Sequence, residues 1–106
     1  MLCYGTWEST MDAKRRTVVP KEVREFCSGK ELFIVGDEKK GTVKLYDRDV
    51  SSKLPTRRLR WFFPLKEMDA QLRLSFPEPI CRAVLKGSKE ILWEGWKDYW
   101  VLRCLE

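Results

Sequence analysis

Five basic side chains lie close together near the start of the chain, and their types and spacing suggest a chemistry. Between Asp12 and Arg24 the basic residues outnumber the acids five to two. These basic residues are Lys14, Arg15, Arg16, Lys21 and Arg24. The first three fall in a polar, turn-like segment from which side chains can reach phosphates, and arginine also makes bidentate contacts with guanine in the major groove. The stretch therefore favours contact with double-stranded DNA.

The residues that usually support catalysis or metal binding form no comparable group. The chain has no histidine, which removes the commonest general base and the commonest metal ligand. Its cysteines, Cys3, Cys27, Cys81 and Cys104, form no Cys-x-x-Cys pair, so they are interpreted as reduced, buried thiols. No paired carboxylates at a catalytic spacing and no glycine-rich phosphate loop are present. We expect no enzyme, no catalytic residue, no metal, no cofactor and no small-molecule substrate.

Length, composition and charge bound the protein class. A chain of 106 residues with 43% hydrophobic and 12% aromatic residues is expected to form one globular domain. The net charge of +5 and the isoelectric point of about 9.1 suit a nucleic-acid partner. Its longest apolar runs are only a few residues, well below the roughly 20 that a membrane span needs. With no secretory signal at Met1 to Thr10, a cytoplasmic, nucleoid-associated protein without a membrane partner is expected.

An internal repeat predicts how these residues are positioned. Asp12-Ala-Lys-Arg-Arg16-Thr-Val-Val-Pro20 recurs as Asp69-Ala-Gln-Leu-Arg73-Leu-Ser-Phe-Pro77, fifty-seven residues further along. Two units of about fifty residues would each be marginal alone, because small chains bury little of their surface. We therefore expect the two copies to pack on each other with pseudo-twofold symmetry.

Each copy has the pattern of a β-β-α-β-β unit. Alternating and β-branched residues predict the strands, and Pro20 and Pro77 stand where a helix would begin. In the first copy we predict strands at 2–11, 16–19, 32–35 and 42–46 and a helix at 21–27. In the second we predict strands at 60–63 with 66–68, 73–76, 90–93 and 99–105 and a helix from Pro77 to Gly87. A first repeat (1–48), a linker (49–56) and a second repeat (57–106) together make one mainly β domain.

The repeated motif resembles a known group of DNA-binding proteins. Asp12 to Arg16, followed by Val19-Pro20-Lys-Glu-Val-Arg24, resembles the Asp-x-x-x-Arg then Ile/Val-Pro-x-x-Φ-Arg pattern of AbrB/SpoVT-type swapped-hairpin proteins, where Φ is apolar. Two copies in one chain, with Arg57-Arg-Leu-Arg60-Trp-Phe-Phe63 before the second, are similar to the MraZ family of transcriptional regulators of the bacterial division and cell-wall gene cluster.

The resemblance implies a fold, a partner and an assembly. It implies one pseudosymmetric swapped-hairpin barrel of double-psi type that assembles as a homo-oligomer, a dimer or a ring. Such proteins bind repeated promoter boxes through basic residues of the first copy, here Lys14, Arg15, Arg16, Lys21 and Arg24. The family often has glycine before the motif arginine, where a left-handed backbone is eased, whereas this chain has Arg15 and Leu72.

Several assignments stay open at the level of sequence. Asp12, Asp69, Arg73, Pro20 and Pro77 are interpreted as structural, whereas Arg16 either pairs with Asp12 or contacts DNA. Arg57, Arg58 and Arg60 form either a second DNA contact or a basic rim around Trp61-Phe62-Phe63, which is interpreted as core or subunit interface. The alternative function is an AbrB-like antitoxin or a protein-interaction module with weak DNA binding.

Overall fold

The computed structural model describes residues 5–54 and 60–105, and this part of the chain contains eight strands and three short helices. In the first copy they are β1 (Gly5–Thr10), β2 (Arg16–Val18), α1 (Lys21–Cys27), β3 (Leu32–Asp37), β4 (Thr42–Asp47) and α2 (Arg48–Ser51). In the second copy they are β5 (Trp61–Leu65), β6 (Arg73–Ser75), α3 (Glu78–Ala83), β7 (Glu90–Gly95) and β8 (Trp100–Cys104). The protein is thus mainly β, as the sequence predicts.

The two copies exchange their first strands. Six strands form one antiparallel sheet in the order β1-β7-β8-β4-β3-β5. The first strand of the first copy pairs with the hairpin of the second copy, and β5 of the second copy pairs with the hairpin of the first. The strand order reads the same from either end when equivalent strands are interchanged. Neither copy therefore completes its share of the sheet alone.

The pseudo-twofold relation also governs the second, two-stranded sheet of β2 and β6. Thr17 lies opposite Leu74, and these two residues are equivalent in the repeat. Their flanking pairs are Arg16 with Ser75 and Val18 with Arg73. The symmetry axis therefore passes through the Thr17–Leu74 pair, and both side chains there are buried.

The core lies between the inner face of the six-stranded sheet, the helices and the inner face of β2 and β6. Trp93 is fully buried, and its Nε1 donates to Ser9 Oγ at 2.7 Å, while Thr17 Oγ1 donates to the same hydroxyl oxygen at 2.7 Å. The Trp93 Nε1, Thr17 Oγ1 and Ser9 Oγ atoms thus satisfy one another, as burial requires. Helix α3 packs so closely on β3 that a Cβ at Gly36 would stand 2.8 Å from Ile80 Cδ1.

The β-β-α-β-β order of both copies is confirmed, with corrections to the bounds of β5 and α3. Residues 66–68 are not a strand: β5 ends at Leu65, which lies opposite Leu32, the first residue of β3, so the ladder has no further partner. The predicted helix up to Gly87 ends at Ala83, and a turn follows in which Lys86 and Gly87 have φ of 53° and 73°. Residues 2–4 and 57–59 lie outside the described residues.

The linker predicted at 49–56 begins as helix α2 rather than as an irregular segment. Asp47 caps this helix, because its carboxylate accepts a hydrogen bond from the Val50 N–H at 3.0 Å. Ser51 Oγ in turn donates to Arg48 O at 2.9 Å. Ser51, which lies within the predicted linker, therefore helps to close a short helical turn.

Candidate nucleic-acid interface

The first motif turn (turn 1, residues 12–16) is built around one carboxylate. Asp12 Oδ1 accepts hydrogen bonds from the backbone N–H groups of Lys14 and Arg16, both at 2.9 Å. Asp12 Oδ2 accepts from Arg16 Nε at 2.8 Å, and the Asp12 N–H donates to Arg16 O at 2.8 Å. Aspartate suits this position because its short side chain can bond to backbone groups two and four residues on. The Asp and Arg of the motif therefore shape the turn.

The second motif turn (turn 2, residues 69–73) repeats these bonds. Asp69 Oδ1 accepts from the N–H groups of Gln71 and Arg73 at 2.9 Å each, and Asp69 Oδ2 accepts from Arg73 Nε at 2.8 Å. The Asp69 N–H donates to Arg73 O at 3.0 Å. Pro20 and Pro77 directly precede α1 and α3 with φ of −56° and −60°. These contacts support the structural interpretation of Asp12, Asp69, Arg73 and both prolines.

Both turns hold a residue in the left-handed region just before the motif arginine. Arg15 has φ of 63° and Leu72 has φ of 61°, which disfavours any residue with a Cβ. Their carbonyls bridge the copies: Phe76 N–H donates to Arg15 O, and Val19 N–H donates to Leu72 O, both at 2.9 Å. Both positions therefore hold a backbone geometry that favours glycine, although neither residue is glycine.

The carboxylates of the two turns are held in their charged form. The Arg16 backbone N–H lowers the pKa of Asp12 below its usual 3.8, aided by the Arg16 side chain and the Lys14 N–H. The pKa of Asp69 is lowered in the same way, first by the Arg73 N–H. Arg73 Nη1 also lies 4.0 Å from Asp12 Oδ2, so the two turns meet electrostatically. At neutral pH both aspartates are therefore anionic anchors for arginines.

The five basic residues of the sequence prediction differ in how firmly they are held. Lys14 and Lys21 are exposed, and neither side chain has a partner in the part of the chain that the structure describes. Arg15 is exposed, yet its Nε donates to Phe76 O at 3.3 Å, a bond to the other copy that the sequence did not reveal. Arg24 Nε donates to Val19 O at 3.0 Å, at the end of β2. Turn 1 and α1 are thus tied to the same strand.

The strands β2 and β6 form a ribbon with one buried and one outward face. Thr17 and Leu74 point inward, so strand alternation turns Arg16 and Val18 of β2 outward, together with their partners Ser75 and Arg73 of β6. Val18 is 47% exposed, and Leu72, which precedes β6, is 37% exposed. Sequence reasoning missed Val18 and Ser75 as surface residues because their face is decided by pairing between the copies.

The second basic cluster is only partly within the described residues. Arg57 and Arg58 lie outside them. The guanidinium of Arg60 sits over the ring of Trp61 at 5.2 Å, and its Nη1 lies 4.0 Å from Glu38 Oε1. Trp61 Nε1 donates to Glu38 Oε1 at 2.9 Å. Arg60 thus has local partners, although its side chain remains largely exposed.

The aromatic trio divides between the two faces of the sheet. Trp61 and Phe63 pack against the core. Phe62 points the other way and stacks on Phe33, with ring centroids 5.7 Å apart. The core interpretation therefore fits Trp61 and Phe63. It does not fit Phe62, which forms an aromatic pair with Phe33 on the outer face of the sheet.

Of the described cysteines, Cys27 is buried as predicted, whereas Cys81 and Cys104 are only partly buried. Burial raises the pKa of the Cys27 thiol to about 12 and also raises the pKa of Cys81. Cys104 Sγ donates to Leu85 O at 2.9 Å. Within residues 5–54 and 60–105, no cluster of side chains suited to hold a metal ion is present. Cys3 lies outside these ranges.

The chain matches no protein-family model, and no curated protein shows significant similarity to it. In the described part of the chain, no helix has the length and apolar character needed to cross a membrane.

The surface with the clearest chemical character is the face formed by turn 1, the outward side of the β2–β6 ribbon and α1.

Proposed function

We propose that this protein is a sequence-specific, double-stranded DNA-binding regulator of transcription, resembling AbrB-like and MraZ proteins. The observation that carries the proposal is the exposed β2–β6 ribbon, flanked by Lys14 and Arg15 and presenting Arg16. The major groove, about 12 Å wide, admits a two-stranded β-ribbon. The partner is a phosphate-rich duplex in the cytoplasm, at the nucleoid.

The Arg16 side chain is held in a position from which its guanidinium can contact a base or a phosphate. Asp12 occupies its Nε, and among the described residues its two Nη atoms form no hydrogen bond. An arginine fixed in this way loses little side-chain freedom when it binds, and it can donate two parallel bonds to guanine or phosphate. Structural pairing with Asp12 and contact with DNA are therefore compatible roles for the same arginine.

The difference between the copies favours the first as the DNA-facing one. Lys14 and Arg15 correspond to Gln71 and Leu72, and Lys21 and Arg24 correspond to Glu78 and Cys81. The second copy keeps the turn and loses most of the charge. A single patch of this size gives modest, salt-sensitive affinity, so several protomers on repeated boxes would supply the specificity.

The fold supports the same proposal. The exchange of β1 and β5 between the copies, with β2 paired to β6 across a pseudo-twofold axis, is the connectivity expected of a swapped-hairpin barrel. We infer that the protein belongs to this architecture. The homo-oligomer, a dimer or a ring, is part of the same proposal.

The second copy supplies the sharpest test. Lys14→Gln with Arg15→Leu gives turn 1 the residues of turn 2, which already adopt the same hydrogen bonds and the same left-handed φ. The variant should fold normally and bind duplex DNA more weakly. The slope of log affinity against log salt, which is negative, should become less steep by about 2 if each cation contacts one phosphate. Fluorescence anisotropy on a promoter duplex at several salt concentrations measures both.

A charge-matched control separates the site from the net charge. Lys39→Gln with Lys40→Gln removes two cations from the exposed β3–β4 turn. This control should bind with nearly the affinity and the salt slope of the wild type. Equal losses in the two double variants would show only non-specific attraction, and unchanged binding in the turn 1 variant would refute the proposed site.

A protein-interaction module of antitoxin type is the second candidate, and the exposed Val18 and Leu72 favour it. In that case the turn 1 variant would leave DNA binding weak and unchanged. Substitution of Val18 would instead weaken capture of a protein encoded beside this gene.

A further inference from the structure

The ribbon face is chemically unequal at its two ends. At one end, Arg15 lies opposite Phe76, the neighbour of Ser75, because Phe76 N–H bonds to Arg15 O. At the other end, Leu72 lies opposite Val19, the neighbour of Val18, because Val19 N–H bonds to Leu72 O. The first end carries two arginines and a serine, whereas the second carries Arg73 and the two most exposed large apolar side chains of the described residues, at 47% and 37%. The backbone of the ribbon is therefore pseudo-twofold, whereas the side chains on its outward face are not related by that symmetry.

We propose that Val18 is a specificity-determining residue that recognises the 5-methyl group of a thymine in the major groove. The inference rests on the proposed DNA-binding function and specifies the chemical group on DNA that one residue of that surface recognises. Apolar side chains distinguish thymine through this methyl group, which projects into the major groove. Ser75, the equivalent residue of the second copy, has no such apolar contact to offer.

The neighbours of Val18 fix its place on the duplex. Arg16 lies two residues earlier on the same strand and face, and Arg73 lies opposite Val18 across the ribbon. Side chains two residues apart on a strand are separated by about 6.6 to 6.8 Å. The duplex rises about 3.4 Å per base pair along its axis, and the path along the groove is somewhat longer. A ribbon that lies along the groove would thus place Arg16 and Val18 over bases one to two steps apart.

A duplex explains this face better than a protein partner does. Two apolar side chains are a small patch, whereas a standard protein interface covers about 800 Å² on each partner. The patch is also bordered by Arg16 and Arg73, whose charges a protein partner would have to compensate, while DNA supplies phosphates. Duplex RNA fits poorly, because its major groove is too narrow for side chains and uracil lacks the methyl group.

The experiment replaces thymine with deoxyuridine, which removes only the methyl group. A duplex selected by the wild-type protein from a random pool is resynthesised with each thymine changed in turn. Binding of the wild type should weaken roughly fourfold at one position, the effect expected for one buried methyl group. Val18→Ser, which copies Ser75, should bind the two duplexes equally, and Val18→Ile should keep the discrimination. Thermal unfolding should show that both variants remain folded.

Each other outcome overturns the inference in a recognisable way. If the wild type binds no duplex from the pool, the proposed function fails and this inference fails with it. If the wild type binds but tolerates deoxyuridine everywhere, or if Val18→Ser keeps the discrimination, only the thymine contact is refuted. If Val18→Ser leaves the discrimination intact and lowers the oligomeric mass in light scattering, the apolar end is an interface between copies of this chain.

Discussion

Turn 1 and turn 2 have the same backbone and different surfaces. Both are closed by an aspartate that binds two backbone N–H groups and an arginine Nε, and both hold a left-handed residue whose carbonyl accepts from the other copy. The side chains that these bonds leave free differ, since Lys14 and Arg15 stand against Gln71 and Leu72. The repeated residues therefore maintain the fold, and Arg16 alone among them is also part of the candidate site, whereas the residues that differ supply the rest of that site.

The largest effect on stability is expected at the symmetry axis, where the equivalent residues Thr17 and Leu74 make different interactions. Leu74 is fully buried and apolar, so Leu74→Ala should lower the free energy of unfolding by about 3 kcal/mol. Thr17→Val keeps the shape and removes one hydroxyl that donates to Ser9, at a cost of about 1 kcal/mol. Chemical denaturation measures both. Equal losses would contradict the view that the apolar partner supplies most of the packing at the axis.

A smaller effect, similar in the two copies, is expected from the aspartates. Asp12→Asn and Asp69→Asn each place an amide nitrogen where the arginine Nε needs an acceptor, so each variant should be less stable than the wild type at neutral pH. Both turns use the same hydrogen bonds, so both variants should lose stability, and Asp12→Asn slightly more, because Asp12 Oδ2 also lies 4.0 Å from Arg73 Nη1. A loss confined to one turn would show that the repeat is a likeness of sequence without a shared structural role.

The same pair of variants has a defined pH dependence. Because the pKa of each carboxyl is lower in the folded protein than its usual 3.8, the stabilisation is complete above that value and is lost as the pH falls through the folded pKa. The stability difference between the wild type and each variant should therefore be constant near neutrality and shrink below about pH 4. Urea denaturation from pH 7 to pH 2.5 measures it, and a difference that stays constant throughout would exclude the carboxylates as its source.

The sequence predicted what is local and repeated, and it missed what depends on contact between the copies. The repeat and its alternating patterns predicted the element order and the mainly β class, and they singled out Asp12, Asp69 and the prolines, which lie in the two turns and directly before α1 and α3. The bond from Arg15 to Phe76 O joins residues of different copies, and the outward face of Val18 follows from the pairing of β2 with β6. Helix α2 was missed because it is a single turn, capped by one hydrogen bond from the Val50 N–H to the Asp47 carboxylate.

The smallest effect is expected at the left-handed positions, and it distinguishes the two turns once more. Glycine tolerates φ near +60° without the Cβ penalty, so Leu72→Gly should raise the free energy of unfolding by about 0.5 to 1 kcal/mol. Arg15→Gly relieves the same strain but also removes the bond from Arg15 Nε to Phe76 O, so its net gain should be smaller. Thermal and urea unfolding of the two single variants measure the difference. A larger gain for Arg15→Gly would mean that this side chain is held at a cost to stability, and a loss in both would contradict the assignment of strain to these residues.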